Sequence, residues 1–279
     1  MALPDLPWGR FNLYAAGGVA TKLCAMLVVV ALVVPSLIVV PVSFSEARFI
    51  SFPPESYSLR WYATYFNHPQ WTQATVYSLV LAAITVMVAL LIGVPAAFGL
   101  VRGRFRGRAL VTGLLISPLL IPVVLIAVAL FFALTQAGLA GGTIGVVIAH
   151  AILALPFVIV VVMASLRDLD RGYEMAALSL GASPLRTFWH VTLPILRPAL
   201  ISAALLAALT SFNEFLVTLF TIGLDRSTLP LQFWKGIRFE QTPTIAAVAS
   251  LWTMVSILIL AVLGFLRWQG ERRRPATPP

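Results

Sequence analysis

Six apolar stretches, each long enough to cross a bilayer, constrain this chain more than anything else in it. A spanning helix takes about 20 residues at roughly 1.5 Å rise per residue. The sequence supplies such runs over residues 23–42, 77–101, 110–134, 143–166, 199–222 and 245–266. Inside hydrocarbon a single segment can satisfy its backbone polar groups only as a helix, so the expected fold is all-α and polytopic, with six transmembrane helices. The first run is too long for a signal-peptide core and no soluble domain follows it, so it is expected to be a retained helix. Of 279 residues, 60% are hydrophobic and 10% charged, against about 25% charged in a soluble domain.

The net charge of +9 would suggest a nucleic-acid partner in a soluble protein. Here the basic residues fall in loops, and their distribution orients the chain. With the N-terminus inside, the cytoplasmic set is Arg10, Lys22, Arg102, Arg104, Arg106, Arg108, Arg167, Arg171, Arg186, Arg197, Arg267, Arg272, Arg273 and Arg274. The opposite side holds only Arg48, Arg60, Arg226, Lys235 and Arg238. Fourteen against five satisfies the positive-inside rule, so both termini are expected in the cytoplasm. The expected organisation is a cytoplasmic N-terminal segment (1–22), a transmembrane domain (23–268) and a disordered cytoplasmic tail (269–279) held near anionic lipid.

Several chemistries are weakly supplied. The sequence carries one cysteine and three histidines. Cys24 is expected to pack as a small apolar residue in the first span, and His68, His150 and His190 are too scattered to ligate a metal. His150, in the fourth span, suits a hydrogen bond across helices. No phosphate loop of the form G-x-x-x-x-G-K-[ST] occurs, so the chain is not expected to hydrolyse ATP itself, and no catalytic set of nucleophile, base and metal is visible. In the first outer loop Trp61, Tyr62, Tyr65, Phe66 and Trp71 crowd together, as in a short amphipathic helix at a membrane interface. Pro118 and Pro122 in the third span, and Pro156 in the fourth, interrupt helical hydrogen bonding and are expected to kink their helices, either for packing or to open a central path.

Between the fourth and fifth spans lies an unusual loop, 167–198. Asp168, Asp170 and Glu174 fall near the start of a short helix, where negative charge meets the positive end of the helix dipole. Gly181 can adopt the left-handed conformation that closes a helix. Ser183 is placed to N-cap a second helix, and Pro184 then occupies the first helical position, where its missing N–H costs nothing. Leu193-Pro194 is expected to stop that helix, before Pro198 opens the next span. A helix–break–helix of this kind can be gripped by something outside the membrane, or it can simply connect two spans.

The same loop resembles the cytoplasmic coupling helix-turn-helix of type I ABC-importer permeases. Their motif runs Glu-Ala-Ala, three residues, Gly, nine residues, an apolar residue, one more, then Leu-Pro. Anchored on Gly181, this chain supplies Ala176, Ala177, Val191, Leu193 and Pro194 at those offsets, with Ala182 and Ser183 after the glycine. The motif glutamate position holds Met175, with Glu174 one residue earlier. A one-residue offset turns a helical side chain by about 100°, so the resemblance carries docking on the ATPase by shape and apolar packing, with Glu174 and Met175 both among the expected coupling residues and the family's salt bridge left open between them.

Further segments are similar to the polyamine branch and to the second of its two permeases: 49–54 (FISFPP), 58–62 (SLRWY), 117–122 (SPLLIP), 211–215 (SFNEF) and 228–231 (TLPL). The resemblance covers roughly residues 23–268. It implies a bacterial inner-membrane importer of putrescine or spermidine, in which this chain pairs with a related permease. Two ATPase subunits would bind the ATP, and an extracytoplasmic binding protein would deliver the substrate. Other amine-bearing solutes, such as aminophosphonates and opines, have related permeases.

Glu214 is the only acidic residue within an expected span. Counted along a continuous helix from Ile222, it lies roughly 12 Å below the outer end. An ionised group facing lipid is costly. Glu214 is therefore read with its neighbour Asn213 either as lining a path for a cationic substrate or as a structural carboxylate bonded to a neighbouring helix. An ion-coupled secondary transporter would need more intramembrane polar groups than these, and inverted repeats are not evident.

Overall fold

Prolines mark one helix break in this protein and lie inside continuous helices elsewhere. The computed structural model describes residues 13–240, 242–255 and 257, and it is almost wholly helical, with only isolated β-bridges at Ser45–Tyr57 and Gly141–Ile222. The contacts divide the chain into two units, residues 1–66 with 240–279, and residues 67–239.

In the first unit, α1 (Leu13–Ser43) is a long apolar helix, α2 (Arg60–Asn67) is short, and α12 (Thr244–Val255) is the described part of the last expected span. The rest of that span, the tail 269–279 with its arginines, and residues 1–12 of the N-terminal segment lie outside the described residues. Tyr62 ties this unit together, its hydroxyl standing 2.7 Å from Ser43 Oγ and 2.8 Å from Ser250 Oγ. Trp61 and Tyr65 are buried in protein, so these two rings pack internally rather than anchoring in lipid. Cys24, expected to be packed, lies exposed on α1.

The second unit is built on α3 (Pro69–Arg102), α6 (Thr143–Asp168) and α9 (Leu193–Asn213), which pack on one another. Small residues allow the approach. Ala89, Gly93 and Ala97 recur every four residues on α3, and Ala203 and Ala207 do so on α9, which places each set on one helix face. A Cβ added at Gly93 would stand 2.7 Å from Val158 Cγ1 of α6. Between these stripes lie Val158, Ile159, Val162, Leu166 and Leu196, all fully buried. At the N-terminal end of α3, α11 (Leu229–Lys235) joins it through the Leu229 N–H, which donates to Ser78 Oγ at 2.8 Å, and through an edge-on contact of Phe233 with Trp71.

The expected third span is broken, not kinked. Helix α4 (Arg108–Ile116) passes through a 3-10 turn (Ser117–Leu119) and then turns by 103° into α5 (Val123–Gln136). Pro118 has no N–H to offer the Leu114 carbonyl, and Ser117 Oγ donates to that carbonyl instead at 2.8 Å. Pro122 repeats the interruption one turn later. Pro156, by contrast, lies inside an unbroken α6.

The expected fifth span also differs. The helix stops at Asn213, Glu214 is extended (φ −73°, ψ 119°), and α10 (Leu216–Thr221) begins after it. Depth counted along a continuous helix therefore does not apply to Glu214. At its other end the helix does not stop at Leu193-Pro194. From α8 (Pro184–Thr187) it runs through a π-turn (Phe188–Thr192) directly into α9. The widened turn accommodates Pro194, which has no N–H for an ordinary helical bond.

Among the described residues four helices are long and apolar enough to cross a membrane, Thr21–Ser43, Pro69–Arg102, Thr143–Asp168 and Pro184–Asn213, with a fifth if the bent pair is one span.

Candidate functional site

The hairpin between α6 and α9 is closed by its own backbone. Asp168, expected at the start of the loop helix, is instead the last residue of α6. Asp170 caps α7 (Arg171–Ser179), its Oδ1 accepting from the Gly172 N–H at 2.8 Å. At the other end the Leu180 N–H bonds the Ala176 carbonyl, the Gly181 N–H bonds Leu178 at 3.0 Å, and the Ala182 N–H bonds Ala177 at 3.0 Å. The last two form a Schellman pair, and they require the left-handed glycine that Gly181 supplies at φ +84°. Ser183 Oγ accepts from the Arg186 N–H at 3.3 Å and Pro184 opens α8. The motif residues Ala176, Ala177, Gly181, Ala182 and Ser183 thus converge on one turn, while Leu193 and Pro194 sit beyond the π-turn at the head of α9.

Glu174 and Met175 are turned in different directions. Glu174 Oε2 lies 3.1 Å from Nη2 of Arg102, the last residue of α3, and both side chains are only 20% exposed. Its other oxygen, Oε1, accepts from Thr192 Oγ1 at 2.9 Å. The arginine contact is one of charge, since neither Nε nor Nη2 of Arg102 makes an aligned hydrogen bond. It joins the negative C-terminal end of α3 to the positive first turn of α7, so each charge also meets a favourable helix end. Both residues line a cavity of about 260 Å³ shared with Phe98, Thr187 and Phe188.

Met175, at the motif glutamate position, points out and is 61% exposed. Tyr173, Leu178, Leu180, Leu185 and Trp189 are exposed with it on α7, α8 and the turns around them. Apolar side chains gathered this way on a loop commonly mark an interaction site.

The second polar locus is the break after α9. Asn213 is exposed and Glu214 half-buried. Glu214 Oε1 accepts from the Val217 N–H at 2.8 Å, capping α10, and its carbonyl accepts from Thr218 Oγ1 at 3.0 Å. His150, fully buried on α6, spans the break: Nδ1 stands 2.9 Å from Ser211 Oγ on α9, and Nε2 stands 2.9 Å from Thr218 Oγ1 on α10. The imidazole thus makes the cross-helix bonds expected of it and holds both sides of the break.

The roles of Arg102, Thr192, Ser211 and Thr218 escaped sequence reading. Arg102 and Thr192 lie 72 positions before and 18 after Glu174 in the chain, and no motif joins them. Ser211, one of the His150 partners, stood in the 211–215 segment of the resemblance, with nothing there to pair it with His150.

The family model described as "Binding-protein-dependent transport system inner membrane component" matches residues 89–274. The chain is 33% identical over 251 residues to the putrescine transport system permease protein PotI of Escherichia coli (strain K12), covering 86% of this chain and 88% of that one. It is 30% identical over 231 residues to the spermidine/putrescine transport system permease protein PotC of Haemophilus influenzae, covering 83% and 90%. Among solved structures, a chain of a bacterial ABC transporter involved in the import of the acidic polysaccharide alginate superposes with a TM-score of 0.68 at 18% identity, covering 95% of this chain and 99% of that chain. The MetNI methionine ABC transporter, in an inward-facing conformation, gives a TM-score of 0.52 at 18% identity, covering 73% and 94%. At those identities the structural likenesses speak for the fold alone.

Proposed function

Because the chain belongs to the inner membrane components of binding-protein-dependent transport systems, we propose that it is one of two related permease subunits of an ATP-driven importer of polyamines such as putrescine or spermidine. The relatives named for putrescine and spermidine support the substrate class. Within the chain, the Glu214 carboxylate beside Asn213 supports a path for a cationic solute. The hairpin carries the reading: a rigidly closed α7–α8 turn with an exposed apolar face, inserted between two long apolar helices.

In this reading the chain crosses the bacterial inner membrane six times with both termini in the cytoplasm. The bent α4–α5 pair makes the third span, and residues 245–266 make the sixth. Two ATPase subunits bind ATP, the chain itself needs no cofactor, and nucleic acid is not a partner. A binding protein on the outer face delivers the substrate and sets most of the selectivity. ATP binding closes the ATPases and moves the 167–198 hairpin. That motion tilts α6 and α9, and packed helices pass between discrete arrangements rather than deforming continuously.

The test is uptake of labelled putrescine by membranes carrying the whole assembly, with ATP depleted while the membrane potential is clamped. Abolished uptake is the expected result. Uptake sustained by the potential alone would assign the chain to ion-coupled transport. ATP-dependent uptake of another amine-bearing solute, such as an opine or aminophosphonate, with none of putrescine, would keep the importer and replace the substrate.

A further inference from the structure

We propose that the Arg102–Glu174 pair is a latch that ties the coupling hairpin to α3, so that Glu174 works as a positioning residue within this chain and not as a contact to the ATPase. The inference rests on the importer reading above and adds a third helix to the motion. The hairpin is covalently joined to α6 and α9, but α3 reaches it only through space.

Three observations carry the latch. Both carboxylate oxygens of Glu174 are engaged inside the chain, one by Arg102 at 3.1 Å and one by Thr192 at 2.9 Å. A carboxylate so held, with a side chain 20% exposed, has little left to offer an external partner. The position that would carry the family's docking glutamate is instead an outward-facing methionine. Finally, α7 packs on α8 and the π-turn, while a cavity opens beside it toward α3 with Arg102 and Glu174 both in its lining. The ion pair therefore bridges two helix ends across an open groove.

Geometry gives the latch a mechanical role. Arg102 ends the same α3 whose small-residue face packs against both α6 and α9. A push on α7 is thus delivered to three mutually packed helices at once. Thr192 belongs to the π-turn that leads into α9, so Glu174 joins α3 and the foot of α9 through a single side chain.

The experiment uses the complete assembly with its binding protein, in proteoliposomes, and reads substrate taken up per ATP hydrolysed. Glu174→Gln and Arg102→Gln are expected to lower that ratio roughly fivefold or more, the low end of ordinary coupling between sites, while the ATPase still co-purifies. Thr192→Val, which keeps the volume and removes the hydroxyl, is expected to lower it less, in the same direction. Arg102→Lys, which keeps the charge at the end of α3, is expected to retain most of the coupling that Arg102→Gln loses. Wild-type coupling in the single variants, loss of ATPase co-purification in Glu174→Gln, or Arg102→Lys as uncoupled as Arg102→Gln would each overturn the latch. A wild-type assembly whose ATP hydrolysis ignores the binding protein would instead contradict the importer reading.

Discussion

The Glu214 carboxylate accepts the backbone N–H of Val217 at 2.8 Å, so the acidic residue after α9 is also the cap that starts α10. One group thereby serves structure and carries a charge at the break. Glutamine at this position keeps an acceptor oxygen and loses the charge. Glu214→Gln is therefore expected to assemble normally with its ATPase and to take up cationic substrate poorly. Glu214→Ala removes the cap as well, at about 1 kcal/mol, and is expected to lose stability in detergent too. Radiolabelled uptake alongside thermal unfolding separates the two effects, and wild-type uptake by the glutamine variant would remove the path role.

His150 should matter for stability before it matters for transport. Replacing it by Phe leaves the hydroxyls of Ser211 and Thr218 without their shared cross-helix partner. Hydrogen bonds of this kind within membrane proteins contribute roughly 0.6–1.7 kcal/mol each, so about 1–3 kcal/mol is expected from the two together. A lowered melting temperature of the purified assembly checks this. An unchanged melting temperature would mean that the α9–α10 break holds without the imidazole.

Gly181 sits at φ +84°, and a Cβ placed there would meet nothing within 4 Å. The cost of a side chain is therefore backbone strain alone, about 1–2 kcal/mol for an ordinary residue in this conformation. Gly181→Val is expected to distort the hairpin and cut uptake. Gly181→Asn, which tolerates the left-handed region, is expected to retain much more of it. Equal uptake by the two variants would argue that the Schellman turn is not what couples the hairpin.

Met175 offers the complementary test of the docking face. Met175→Lys places a charge on an exposed apolar surface without touching the packing beneath it. Folding of the subunit is expected to be unaffected, while co-purification of the ATPase weakens. Full co-purification would move the docking surface elsewhere on the hairpin.

How much of this was legible in the sequence depended on the range of the interaction. Gly181, Ser183 and Pro184 took the roles their types dictate, because helix closure and capping act within four or five residues. The apolar runs found the helices, but run length alone concealed both breaks. Residues 110–134 read as one helix because hydropathy does not register the missing N–H of Pro118 and Pro122, and Glu214 read as mid-helix because it lies inside an apolar run with no proline or glycine to mark the break. The stop expected at Leu193-Pro194 failed in the opposite sense, since a π-turn accommodates a proline that an ordinary turn rejects. The latch between Arg102 and Glu174 lay beyond any local pattern, because tertiary packing alone brings the end of α3 to the start of α7.

The most direct test of the account is uptake of labelled putrescine and spermidine by the whole assembly, with and without this subunit. Saturable, ATP-dependent uptake that disappears when the chain is deleted is the expected result. Undiminished polyamine uptake without this chain would contradict it.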